Sequence, residues 1–140
     1  MPRSIFVNLP VADLPRSRAF YEAIGFTINE KFSDLTAACV VISETIYVMI
    51  LTHAKFAEFT PLPIGDAARQ SQHLLALSCD DRVGVDRIVT AALTAGGSEP
   101  RPVQDLGFMY SRAFADPDGH IWEPLWMDPA AAESGPPDAG

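Results

Sequence analysis

Basic residues are scarce in this chain. Its 10 Lys and Arg stand against 18 Asp and Glu, a formal net charge of −8. That balance excludes the broad basic face a nucleic-acid binder needs to neutralise phosphates, and it works against docking on an anionic membrane surface. It favours solubility and is compatible with a cationic ligand, since an acidic field concentrates cations. Cysteine is almost missing: Cys39 and Cys79 each lie in an apolar run, "LTAACVVIS" and "LLALSCDD", and neither belongs to a CxxC pair. Both read as small buried hydrophobes. No apolar run approaches the ~20 residues needed to cross a bilayer. The opening "MPRSIFVNLPVADLP" has no long apolar core before a small-residue cleavage site, so no signal peptide is expected and the expected compartment is the cytoplasm. A Gly-rich phosphate loop, a nucleophile elbow and a Ser–His–Asp set are all lacking.

What is present suffices for one domain with a real core: 140 residues, 48% hydrophobic. The same order of elements occurs twice. In the first unit, "SIFVNLPV" reads as a strand. Asp13 can cap a helix that tolerates Pro15 in its first turn. Leu14, Ser17, Tyr21 and Ile24 follow helical spacing with Phe20 beside them, and Gly25 supplies the stop. Strands are expected at Thr27–Phe32, Ala37–Ser43 and Ile46–Thr52. In the second unit, "HLLALSCD" reads as a strand and Asp80 or Asp81 caps a helix. Val85, Ile88, Val89 and Ala92 form its apolar stripe, and Gly96-Gly97 ends it. Strands are expected near Ser98–Val103, Phe108–Ala115 and His120–Met127, with Asp118-Gly119 as a hairpin turn between the last two.

The chain therefore divides into a first module (about 4–53), a connector (about 54–71), a second module (about 72–128) and a tail (129–140). The connector carries Pro61 and Pro63 and a short helical turn near Ala54–Phe59. It is long for a compact domain, where such segments are often functional. The tail is small, polar and rich in Pro and Gly, and disorder is expected there. The fold class is α+β: two tandem βαβββ modules forming a curved, cup-like mixed sheet.

"VADLPRSRAFYEAIGF", "ALSCDD" followed by "AGG", and the closing "FADPDGHIWEPLW" together resemble the vicinal oxygen chelate superfamily. That is the group of glyoxalase I, extradiol dioxygenases and bleomycin-resistance proteins. The resemblance covers about Ser4 to Asp128. It implies a small-molecule ligand in the cup, a homodimer, and, in metal-dependent members, one ligand from the first and one from the last strand of each half. Those positions fall here on Phe6, Ile50, Leu74 and Glu123. Phe, Ile and Leu cannot coordinate, and one carboxylate is far short of a catalytic zinc, nickel or iron site. No cofactor is therefore expected. The alternative is a divalent metal (Zn, Ni or Fe) held by His53, His73 and Glu123, with a bulge turning His73 to the other face of its strand. Otherwise His53 is an exposed loop residue, His73 a strand-edge residue and His120 a polar residue flanking a turn.

Glu123 shares one strand face with Ile121 and Leu125, while Trp122, Pro124 and Trp126 share the other. Two roles stay open for it: a catalytic base or ligand partner among apolar neighbours, or a structural carboxylate held by Arg112 or Tyr110. The expected ligand-binding set is Phe6, Asn8, Ile50, Leu74, Phe108, Tyr110, Arg112 and Glu123. Two functions follow. One is a metal-free binding protein of the bleomycin-resistance type, with an aromatic cup for a small, amphipathic or cationic molecule. The other is a glyoxalase-like lyase or isomerase that uses Glu123, with or without a metal.

Overall fold

The computed structural model describes residues 2–137. The first module runs β1 (Ile5–Val11), α1 (Leu14–Ala23), β2 (Thr27–Asn29), β3 (Ala37–Val41) and β4 (Ile46–Thr52). Asp13 caps α1 by accepting from the Arg16 amide, and Gly25 leaves the helix at φ 108°. The four strands form one mixed sheet in the order β1-β4-β3-β2, with β1 parallel to β4. The expected strand Thr27–Phe32 ends early: Glu30–Phe32 form a 3₁₀ turn that the Asn29 side chain caps.

A short helix, α2 (His53–Phe56), and a 3₁₀ turn (Ala57–Phe59) open the connector, as the sequence led one to expect. The second module then runs β5 (Leu75–Ser78), α3 (Arg82–Thr94), β6 (Gln104–Asp105), β7 (Met109–Ser111), β8 (Phe114–Ala115) and β9 (Ile121–Met127). Asp81 is the cap of α3. The order β5-β9-β7-β6, with β5 parallel to β9 and β8 also on β9, repeats the first module. The fold is α+β, built from two βαβββ modules whose strands form two separate mixed sheets.

Three local expectations are corrected. Ser98–Val103 is not a strand: Ser98 makes one bridge to Ala115, and regular pairing resumes only at Gln104. Pro100 and Pro102 remove the amide donors a ladder needs. The expected strand Phe108–Ala115 breaks at Arg112 and Ala113 into β7 and β8. The tail, expected to be disordered, begins as a helix, α4 (Pro129–Ser134), because Asp128 caps the Ala130 amide and Pro129 sits where a missing amide costs nothing. The rest of that expectation, at residues 138–140, lies outside the described residues.

One core spans both modules. Leu9, Val11, Val48 and Ile50 from the first sheet meet Phe20 and Tyr21 of α1, Val89 and Ala92 of α3, and Phe114 and Trp122 from the second sheet. The Phe114 and Trp122 rings stack at 6.2 Å, and Tyr21 meets the Trp122 ring edge-on at 5.9 Å. The "DPDG" turn before β9 carries the polar half of this junction. Tyr21 donates to Asp116 Oδ2 at 2.6 Å, while Asp116 Oδ1 accepts from the amides of Asp118 and His120. Trp122 Nε1 donates to the Tyr21 hydroxyl at 3.1 Å. Asp118 accepts from the Ala12 amide at 2.8 Å, and Arg16 donates to the Pro117 carbonyl. The closing turn of the second module thus holds the start of α1 in the first.

Candidate functional site

The strand pleat decides which side chains leave the core. On β1, Val7, Leu9 and Val11 point inward, so Phe6, Asn8 and Pro10 lie on the outer face. The register pairs Phe6 with Tyr47, Asn8 with Met49 and Leu9 with Ile50. The outer face therefore continues through Tyr47 and Met49, and the Phe6 and Tyr47 rings stack there 4.7 Å apart. Ile50 is 0% exposed and packs in the core. The expectation that Ile50 shares the cup face with Phe6 is thus corrected: Ile50 points into the core, and its neighbour Met49 takes the cup side.

On the second sheet, Leu75 and Leu77 face the core, as do Trp122 and Pro124. Leu74 and Ala76 take the outer face with Glu123, which sits directly opposite Ala76. Phe6 and Leu74 are 55% and 54% exposed, so each sheet presents bare apolar surface on this side. The expected division of β9 into a Glu123 face and a Trp122 face holds.

Glu123 is not held by Arg112 or Tyr110. Its Oε2 lies 3.0 Å from Nη2 and 3.3 Å from Nε of Arg101, whose Nη2 also donates to Ser111 Oγ at 2.9 Å. Both partners are half-buried. Arg101 reaches in from the loop Glu99–Val103, which borders a shallow groove of about 490 Å³. Tyr110 and Arg112 lie elsewhere. Tyr110 pairs with Trp126 in the ladder and so shares the Trp122 face. Its hydroxyl donates to Asp86 on α3 at 2.7 Å, and Arg112 bridges Asp86 and Glu99 at 2.9 and 2.8 Å. The Tyr110 hydroxyl and Arg112 together hold the Asp86 carboxyl below its usual range. Arg82 lies over the Tyr110 and Trp126 rings, 5.1 and 5.2 Å from their centroids. Phe108 sits in the loop before β7, where its carbonyl accepts from the Asp128 amide. Tyr110, Arg112, Trp122 and Trp126 thus make packing and bracing contacts on the face opposite Glu123.

The three histidines do not join Glu123. His53 is exposed at the start of α2. His73 precedes β5 and stacks on His120 with ring centroids 6.0 Å apart. Among the described residues no three His, Cys, Asp or Glu side chains are grouped to hold a metal ion, so the set His53–His73–Glu123 is not assembled. The donor chemistry at the cup-side positions, Phe6, Met49, Leu74 and an ion-paired Glu123, does not fit a catalytic divalent metal. Cys39 is buried and Cys79 half-buried, and burial raises both thiols above their usual values.

The first module matches the family model described as "Bleomycin resistance protein-like N-terminal", over residues 3–43. Among solved structures, a hypothetical protein from S. aureus is similar over 90% of this chain and 94% of its own, with 25% identity and a TM-score of 0.75. A glyoxalase/bleomycin resistance protein/dioxygenase family enzyme from Burkholderia phytofirmans PsJN covers 87% and 96%, with 19% identity and a TM-score of 0.71. These matches support the vicinal oxygen chelate superfamily, whose fold the whole chain shares. Its superfamily fold is shared by fosfomycin resistance protein FosX from Mesorhizobium loti, at 20% identity, 94% and 97% coverage and a TM-score of 0.67. No protein of curated function matches the chain. No helix among the described residues is long and apolar enough to cross a membrane.

Proposed function

We propose that this vicinal oxygen chelate protein is a small-molecule binding protein of the bleomycin-resistance type that works without a catalytic metal. The observation that carries the reading is the Arg101–Glu123 pair. It sets one oriented, internally neutralised polar group on an otherwise apolar sheet face that also bears Leu74 and Ala76. A carboxylate engaged in this way can still accept one more donor, as suits recognition of an amine or hydroxyl on an amphipathic molecule. Phe6 and Tyr47 supply a flat aromatic surface on the first sheet for the apolar part. A homodimer is the natural means of covering these exposed faces, since each buries little by itself.

The test is a thermal-shift series on the purified protein with Ni²⁺, Zn²⁺, Fe²⁺ and Mn²⁺, repeated on Glu123→Ala. A metal that binds the native state at a hundred times its Kd adds ~2.7 kcal/mol. The expected outcome is no metal-specific shift in either protein. A large shift with one metal, abolished in Glu123→Ala, would move the assignment to a metal-dependent lyase or isomerase.

A further inference from the structure

We infer that Arg101 is the specificity-determining residue of the Glu123 face: by neutralising that carboxylate it selects a neutral molecule with a hydroxyl or amide N–H donor, and turns away cations and anions alike. The role rests on the binding face proposed above and narrows what that face takes.

The strand register leaves this face with little charge. Ala76 and Ser78 lie opposite Glu123 and Leu125, Ser111 also pairs with Leu125, and Gln104 pairs with Ser111. Glu123 is the one ionisable side chain among these residues. Its charge is met by Arg101 at 3.0 Å, and Glu99, on the same loop as Arg101, is met by Arg112 at 2.8 Å. The chain's net charge of −8 draws cations toward the molecule as a whole. At this place each acid already has its guanidinium.

Arg101 is not a spare anion receptor. Nε and Nη2 donate to Glu123 Oε2, Nη2 also donates to Ser111 Oγ, and Nη1 donates to the Pro102 carbonyl. All three nitrogens are engaged, and Ser111 is only 4% exposed, so the guanidinium is anchored on a buried hydroxyl. An anion would have to break these bonds. The open group is the other oxygen of Glu123. Both Arg101 contacts run to Oε2, whereas Oε1 has no donor among the described residues and is not sealed from solvent. An ammonium docking on Oε1 would give up its hydration for a carboxylate that is already neutralised. A hydroxyl or amide N–H gives up less and needs only the lone pair.

The experiment is an NMR titration of the intact, ¹⁵N-labelled protein at neutral pH with benzyl alcohol and benzylamine. The probes share a ring, and only the amine is charged. The backbone amides of Ala76 and Glu123 report binding. The wild type is expected to bind the alcohol more tightly than the amine. Arg101→Gln keeps an amide donor for Ser111 and removes the charge, so the ratio of the benzylamine Kd to the benzyl alcohol Kd should fall at least about ten-fold. Arg101→Lys restores the charge and should bring the ratio back toward the wild-type value. A purely structural Arg101 would weaken both probes together and leave the ratio unmoved. A wild type that prefers benzylamine, a smaller fall in Arg101→Gln, or an Arg101→Lys that behaves like Arg101→Gln would each overturn the role of Arg101 and leave the binding face standing. Amides that respond to neither probe in the wild type would overturn the binding face itself, and this role with it.

Discussion

Two carboxylates near the end of the chain, Asp116 and Glu123, do opposite kinds of work. Asp116 is 4% exposed, and burial lifts its carboxyl above the usual range against the opposing pull of His120 and the Tyr21 hydroxyl. The native state therefore keeps this proton to higher pH than the unfolded chain does. Its contribution to stability is full below the unfolded carboxylate value and is lost as pH rises through the native one. Urea melts of the wild type and Asp116→Asn across pH 3–8 should show the wild type losing its advantage as pH rises through that window; a constant difference would refute the raised value. Tyr21→Phe removes the donor to Asp116 and the acceptor for Trp122, and should cost ~1–3 kcal/mol, read as a lower urea midpoint. Glu123 is instead a half-buried partner of Arg101. A double-mutant cycle with Arg101→Ala and Glu123→Ala should return a coupling of about 1 kcal/mol. A coupling near zero would mean that the two groups do not stabilise one another.

Both modules were legible as elements because their helices carry clean apolar stripes and their caps are Asp13 and Asp81. The pleat of β4 was not. In "VMILT" both Ile50 and Leu51 are buried, so alternation, the signal that assigns a face, is missing where the ligand position had to be read. Arg101 escaped notice because it lies in a Pro-flanked loop without periodicity, 22 residues from Glu123. The Asp128-Pro129 cap of α4 could have been seen, since Asp before Pro is a helix-start signal. The Asp118-Gly119 turn was recognised as a hairpin, yet its contact with the connector has no sequence signature. Gly119 has φ 100°, and a side chain there meets Ala67 and Ala68. Gly119→Ala should destabilise the protein by ~1–3 kcal/mol and speed amide exchange in residues 66–70 above all. Uniform exchange changes would argue that the connector is not seated on this turn.

At the level of the whole molecule, the outer faces of both sheets stay bare in one chain, with Phe6 and Leu74 both more than half exposed. Phe6→Asp should therefore leave the fold intact and lower the apparent mass in light scattering at micromolar concentration, if a second copy covers that face. An unchanged mass would place the subunit contact elsewhere or remove it. The likeness to the superfamily says which fold carries these faces, and only the side chains on them say what is bound.

The junction formed by Tyr21 and Asp116 has a further consequence, in time. The two residues are 95 positions apart. While the chain is being synthesised, α1 can lay Phe20 and Tyr21 on its own sheet, but the Tyr21 hydroxyl lacks its Asp116 and Trp122 partners until the "DPDG" turn and β9 have left the ribosome. The hydrogen bonds that join the two modules are therefore among the most non-local in the fold, and they close only when the last quarter of the chain is present.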